Sequence, residues 1–230
     1  MKLFIATPAY GGMICMNYFM SSVGTFGRLH SESVEFYMFA TSSEALISRA
    51  RNTCVTAAME WGADKLLFID ADIGWTWEDM RALIRSDKLV VGGTYPMKVN
   101  PKLPIALNYN VLPEHSHLWN TKSLEEHKRV KALADPVTGE LSISHLPTGF
   151  MMIDMSVFEK LKSRVGTYLD HWPDKPPQRN YDFFPVRIKD EILESEDWAF
   201  CSICRENGIE IHLNTNIICT HMGSYVYGRS

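Results

Sequence analysis

The chain has 230 residues, 46% hydrophobic and 22% charged, with a net charge of −4 at neutral pH. This is the composition of a globular protein able to bury a substantial core, and it argues against a protein whose main task is coating nucleic acid, which rests on Lys and Arg neutralising phosphates. The five scattered cysteines form no disulfide framework, and no apolar run approaches the ~20 residues of a membrane span, so a cytoplasmic protein with reduced thiols is expected.

The opening MKLFIATPAY is too short for a signal peptide and reads as a buried strand ending at Thr7-Pro8, followed by a TPAYGG loop. A helix follows through MNYFMSSVGTF, then a strand, VEFYMFA. SSEALISRARNTCVTAAMEWG reads as a helix with Ser42 or Ser43 as cap and Gly62 as its stop. KLLFIDADIG is a third strand with an acidic end. TWEDMRALIRS is a helix capped by Thr76, with acidic residues in its first turn, and KLVVGGTYP is a fourth strand. The first ~100 residues thus alternate strand and helix, the pattern of a parallel sheet covered by helices.

The second half is less regular. VKALADPVTGELSISHLPTGFMMIDM predicts a hairpin around Asp-Pro-Val-Thr-Gly that runs into an apolar strand. SVFEKLKSR is a short helix. Residues 166–190 hold much of the proline and read as a long loop, a lid or an acceptor-binding segment. There Trp172, Tyr181, Phe183 and Phe184 could stack on sugar rings, although packing as a satellite cluster is the simpler expectation. ESEDWAFCSICRENG is an amphipathic helix, and its Cys201 and Cys204 have no second pair with which to complete a zinc site. IEIHLNTNIICTHMG closes the fold as a strand or strand pair. His115 and His117 belong in an exposed loop, and His145 has no assigned place.

Ligands of open α/β sheets sit at the carboxyl ends of strands, which is where Asp70 and Asp72 fall, in FIDADIG. In extended backbone the two carboxylates project to one side and repel. A positive partner must hold them, and a divalent cation with oxygen ligands is the natural candidate.

Asp70-Ala71-Asp72 after an apolar strand resembles the D-x-D motif of GT-A glycosyltransferases, and the order of the surrounding motifs extends the likeness over nearly the whole chain. The closest resemblance is to compact GT-A proteins of phage and bacterial genomes. They share the TPxYGG opening with Thr7, Pro8 and Tyr10, the S-x-A-R-N helix, V-G-G-x-Y-P at residues 91–96, and E-D-x-x-F-C at residues 196–201. The resemblance implies a GT-A (Rossmann-like) α/β fold. Its sheet would be mostly parallel and flanked by helices, with a hairpin and a long loop in the C-terminal half. It also implies one domain over 1–230, with a nucleotide-binding half at 1–100 and an acceptor-binding half at 101–230.

For the site, the resemblance implies that Mn²⁺ or Mg²⁺ is held by Asp70, Asp72 and the late His221. The nucleotide-diphosphate sugar would be bound by Thr7, Pro8, Tyr10, Arg49, Asn52, Asp70 and Ala71, with Gly149 beneath the donor sugar. Arg49 and Asn52, one turn apart, would face one ligand, whereas Arg51 is expected on a solvated helix face. Glu196-Asp197 would supply the base of an inverting reaction, Asp197 before Glu196, or would orient substrates in a retaining one. Acids at a helix start are also favourable in their own right. The implied activity is a hexosyl- or pentosyltransferase with a UDP-linked donor, GDP being the alternative. The acceptor is a glycan, a protein side chain, a lipid-linked sugar or a hydroxymethylated DNA base; Lys175, Arg179, Arg187 and Lys189 mildly support the last, and the net charge does not. A nucleotidyltransferase would carry a basic residue in the first glycine loop, and from TPAYGGM onward the first Lys or Arg is Arg28. A non-catalytic nucleotide- or glycan-binding module of the same fold is the other rival. The EF-hand pattern is absent after Asp72.

Overall fold

The computed structural model describes residues 1–99, 104–172, 175–223 and 226–227. The elements in chain order begin with β1 (Lys2–Pro8), α1 (Met16–Thr25), β2 (Glu35–Thr41), α2 (Ile47–Trp61) and β3 (Lys65–Ile69). There follow β4 (Ile73–Gly74), α3 (Trp77–Arg85), β5 (Val90–Thr94), α4 (Leu124–Lys131), β6 (Glu140–Ile143) and β7 (Phe150–Asp154). The remainder are α5 (Met155–Leu161), β8 (Thr167–Trp172), β9 (Lys175–Tyr181), β10 (Arg187–Lys189), β11 (Ile192–Glu194), α6 (Glu196–Glu206), β12 (Ile211–Ile218), β13 (Thr220–Met222) and β14 (Val226–Tyr227).

Seven strands form the main sheet in the order β2-β1-β3-β7-β5-β12-β6. β1 pairs in parallel with β2 and β3, and β5 in parallel with β12, but β7 lies antiparallel between β3 and β5, and β6 is antiparallel to β12. Five strands therefore share one direction and the sheet is mixed, the α/β architecture implied by the GT-A motifs. Alternation along the buried strands divides the core between the two faces. Phe4, Leu66 and Phe68 pack with Phe158, Phe184 and Phe200 on one side, and Leu3, Ile5, Leu67 and Ile69 with Trp75 and Phe150 on the other.

Local chemistry explains most boundaries. Thr76 caps α3 in a reciprocal capping box with Asp79, and Gly62 ends α2 in the left-handed conformation at φ 71°. The predicted Ser42 or Ser43 cap of α2 is not used. The helix starts at Ile47, and the Glu44 carboxylate accepts from Leu46 N at 2.7 Å instead.

Two regions differ from the sequence reading. The first arm of the predicted hairpin, from Val130, is instead the end of the helix α4 and the turn after it, a helix in which Ser123 accepts from Glu126 N, with acids in its first turn and Lys or Arg in its last. The second arm, β6, pairs with β12 rather than with the preceding segment. Residues 166–190, expected as a loop, hold an antiparallel ribbon of β8 and β9. Pro176 and Pro177 fall where its register shifts, between the pairs Asp170–Gln178 and Trp172–Lys175, so the ladder loses donors where it is already irregular. Phe183 and Phe184 are fully buried and pack on Phe158, and Tyr181 stacks on Phe183 at 5.5 Å, so these rings serve the core.

Candidate functional site

The carboxyl ends of β1, β3, β5 and β12 share one edge of the sheet, and β7 begins there. That edge gathers Pro8, the Asp70-Ala71-Asp72 segment, Tyr95, Gly149 and the approach to His221. Asp70 to Asp72 is not extended. Ile73 N donates to Asp70 O at 3.0 Å, which closes a turn, and β4 leads away to pair with β13. This small sheet, with Met222 N donating to Asp72 O at 2.8 Å, sets His221 beside Asp72. Ala71 contributes its carbonyl, which accepts from Cys15 N at the start of α1.

The turn sends the two carboxylates to different partners, so no shared cation is needed to relieve repulsion between them. Asp70 meets Arg51, whose Nη1 and Nη2 lie 3.1 and 3.2 Å from its two oxygens. Arg51 Nε lies 3.2 Å from Glu196 Oε1 at the start of α6, and the guanidinium sits over the Phe68 ring at 5.3 Å. The sequence reading of Arg51 as solvated is corrected: it is 3% exposed. Burial opposes its charge, but Asp70 and then Glu196 outweigh burial, and the net shift of its pKa is upward. A signal for this was present. Arg51, Cys54, Val55 and Ala58 are spaced i, i+3, i+4, i+7, and the last three form the buried stripe of α2, so Arg51 had to point inward.

Asp72 is held by Lys98 Nζ in an ion pair, and its Oδ1 lies 3.6 Å from His221 Nε2. Burial raises the Asp72 pKa, but His221 and Lys98 beside the carboxylate prevail and hold it below the usual carboxylate range. His221 Nδ1 lies 2.7 Å from Pro96 O, which can only accept, so this nitrogen carries hydrogen and donates. Tyr95 packs edge-on against the His221 ring at 4.8 Å, and its hydroxyl accepts from Gly149 N at 3.2 Å. Gly149 O in turn accepts from Asp70 N. A Cβ on Gly149 would stand 2.5 Å from the Tyr95 hydroxyl, so the glycine is required by close approach.

Glu196 and Asp197 open α6. Ser195 occupies the cap position, but its hydroxyl bonds the Asp197 carboxylate instead of a backbone N–H. Glu196 is turned to Arg51. Asp197 accepts from Trp198 N at 2.8 Å, and its pKa is raised by burial and by its neighbour Glu196. Trp198 stacks on His145, whose own pKa burial lowers to about 4.

The remaining predicted residues are spread more widely. Thr7 is buried, its hydroxyl 2.7 Å from that of Tyr18 on α1, while Tyr10 is 70% exposed in a loop whose Gly11 and Gly12 take φ values of 73° and 69°. Pro8 closes β1. Arg49 pairs with Glu44 and reaches Asp170 on β8 at 3.8 Å. Asn52 is buried and pins residues 182–184, donating to Asp182 and accepting from Phe184 N. Arg49 and Asn52 do line one cavity of about 430 Å³ with Tyr168 and Asp182, but none of Asp70, Asp72, Asp197 and His221 lines it. A larger cavity of about 610 Å³, around Lys88, Glu140 and His212, lies at the amino end of β5, the opposite edge of the sheet.

Several other expectations now have places. His117 is exposed and His115 half-buried, both on a 3-10 turn. Cys201 and Cys204 are buried thiols, that of Cys201 pushed up to about 12 by burial. Arg187 pairs with Glu194 and Glu206, and Lys189 with Glu206, so these charges are already neutralised; the Lys175 side chain lies outside the described residues. No helix among the described residues is long and apolar enough to cross a membrane.

Among the described residues, no three His, Cys, Asp or Glu side chains are grouped as a metal site. The donor chemistry of Asp72 and His221 nonetheless suits a divalent ion. With Nδ1 donating to Pro96 O, Nε2 is the ring nitrogen left facing the Asp72 carboxylate at 3.6 Å, a mixed N/O pair of the kind Mn²⁺ accepts, with the ring oriented from behind by a carbonyl. Asp70, by contrast, is committed to Arg51.

No protein-family model and no curated protein matches this sequence. Solved structures do resemble it in fold. A197 from STIV is 14% identical with a TM-score of 0.52, covering 97% of this chain and 86% of that one. GalNAc-T7 with UDP, GalNAc and Mn²⁺ is 10% identical with a TM-score of 0.48, covering 96% of this chain and 44% of its own. S. aureus TarS 1-349 in complex with UDP-GlcNAc is 12% identical with a TM-score of 0.42, covering 95% and 57%. At these identities the likeness to A197 is one of fold alone.

Proposed function

We propose that the protein is a glycosyltransferase that moves a hexosyl or pentosyl group from a nucleoside-diphosphate donor, UDP-linked, onto an acceptor hydroxyl. The observation that carries this reading is the Arg51 clip, which ties the acidic turn after β3 to the start of α6 and so fixes two sets of carboxylates on one ligand-binding edge. Asp72 and His221 are the residues that would hold Mn²⁺ or Mg²⁺, which when bound supplies Lewis-acid stabilisation of the leaving diphosphate.

Asp197 is the base. The acceptor oxygen bonds to the anomeric carbon as the bond from that carbon to the diphosphate oxygen breaks, the diphosphate leaves with the electron pair, and Asp197 takes the hydroxyl proton. Its burial-raised pKa suits a proton acceptor, whereas Glu196, held by Arg51, positions the start of α6. The reading is therefore an inverting one. Thr7 anchors the first loop through Tyr18, leaving Pro8 and the exposed Tyr10 ring to face the base and ribose. Gly149 and Tyr95 form the floor under the donor sugar. The neutralised Arg187 and Lys189 favour a glycan or other small hydroxyl acceptor over DNA.

Calorimetric titration of UDP and GDP, with Mn²⁺ and then with EDTA, tests the reading. Metal-dependent binding of UDP that disappears in Asp72→Ala is the expected result. Absence of binding by either nucleotide under any metal would sink it.

A further inference from the structure

The metal reading leaves one cation unexplained. Lys98 follows β5 on a segment anchored at both sides: Tyr95 packs on His221, Pro96 O accepts from it, and Met97 N donates to Ala106 O at 2.8 Å, outside the site. The Lys98 stem passes Gly223, where a Cβ would stand 3.3 Å from its Cδ, so the glycine leaves it room. Its ammonium lies on Asp72 Oδ2, while His221 takes Oδ1. Around this edge four carboxylates, those of Asp70, Asp72, Glu196 and Asp197, stand against the cations Arg51 and Lys98.

We propose that Lys98 is a resident counter-ion of the metal-free protein. It occupies the carboxylate that a divalent cation needs, is displaced when that cation binds Asp72 and His221, and is then left beside the donor diphosphate as a phosphate contact. This rests on the assignment of Asp72 and His221 above. The two cations of the site behave differently because their surroundings differ. Arg51 is enclosed and held by both Asp70 and Glu196, and stays. Lys98 is 38% exposed at its side chain, on a flexible four-carbon stem that can swing at small expense. A partly exposed ion pair of this kind competes only modestly, so it tunes metal affinity without abolishing it. When the cation has neutralised Asp72, an ammonium within reach of the same oxygen is well placed for a phosphate group.

The test is Mn²⁺ titration of full-length wild type and Lys98→Met, by calorimetry without nucleotide, followed by UDP titration at saturating Mn²⁺. Lys98→Met should bind Mn²⁺ on the order of fivefold more tightly and UDP on the order of fivefold more weakly. Circular dichroism of the variant confirms folding, and Lys98→Arg should restore the weaker Mn²⁺ affinity. Equal Mn²⁺ affinity in wild type and Lys98→Met, with binding lost in Asp72→Ala, would overturn the counter-ion role while leaving the metal assignment standing. Unchanged UDP affinity would overturn the phosphate contact. Failure of both proteins to bind Mn²⁺ would overturn the assignment of Asp72 and His221 itself.

Discussion

Replacing Arg51 by Met is the most discriminating perturbation of the structure. Methionine keeps the aliphatic length under the Phe68 ring but removes the guanidinium, leaving Asp70 and Glu196 without their shared cation. Both carboxylates are largely enclosed, at 26% and 13% side-chain exposure. Removing one partner of a buried pair costs about 3–5 kcal/mol. Because Asp70 retains some water, the lower end applies, about 3 kcal/mol. With a urea dependence of about 3 kcal/mol per molar for a chain of this size, the denaturation midpoint should fall by about 1 M. UDP binding should weaken in the same variant, since the acidic turn and the start of α6 are no longer locked together. A midpoint within about 0.2 M of wild type, with unchanged UDP affinity, would refute the claim that Arg51 joins the two halves of the site. Lys at this position should recover little, because an ammonium cannot bridge both carboxylates as the fork does.

Two further outcomes follow from shifted groups. Asp197→Asn should abolish transfer yet raise the thermal midpoint at pH 7 by about 1–3 °C. The wild-type carboxylate has its pKa raised by burial, so its charge opposes folding above that pKa, and the gain should vanish as acid protonates it; a variant that is less stable at pH 7 would contradict this. For His145, burial lowers the pKa to about 4, below its unfolded value near 6.5. The stability tied to the neutral ring is thus complete above pH ~6.5 and is lost as the pH falls toward 4. His145→Gln should flatten that limb of a stability–pH curve measured by urea denaturation, and an unchanged slope would show that another group titrates there.

The strands and helices of the first half were legible because apolar runs alternate with capped amphipathic segments. Thr76-Trp77-Glu78-Asp79 announces a helix start, and Gly62 announces an end. What the sequence could not reveal was the place of β7, since FMMID is apolar on both sides and its direction is decided by pairing with strands far away. The ribbon of β8 and β9 was hidden by its prolines, which look like loop chemistry and sit at a register shift. In the candidate site, motif order singles out Asp70, Asp72, Gly149, Glu196, Asp197 and His221, which lie on one edge of the fold, but it does not show the cations that meet the carboxylates. Residue type alone puts Arg51 on a solvated face, whereas its position on the apolar stripe of α2 puts it inside. Lys98 is a surface lysine by composition, and only the folded segment after β5 brings it to Asp72. Arg49 and Asn52 followed the spacing rule yet face the β8 side of the molecule.

The antiparallel strand wedged between β3 and β5 bears on how the chain reaches this state. β3 and β5 are made early but never bond to each other; each waits for β7. Until Phe150–Asp154 has been synthesised, two strand edges face one another across an open slot, which is where a nascent chain is most exposed to wrong pairing. The pairing that finally brings His221 to Asp72 comes later still, with β13. Assembly of the site is therefore bound to a late, long-range step, of the kind that makes folding slow. A truncation that keeps every acidic residue of the first hundred would retain the motif and lose the edge on which it works.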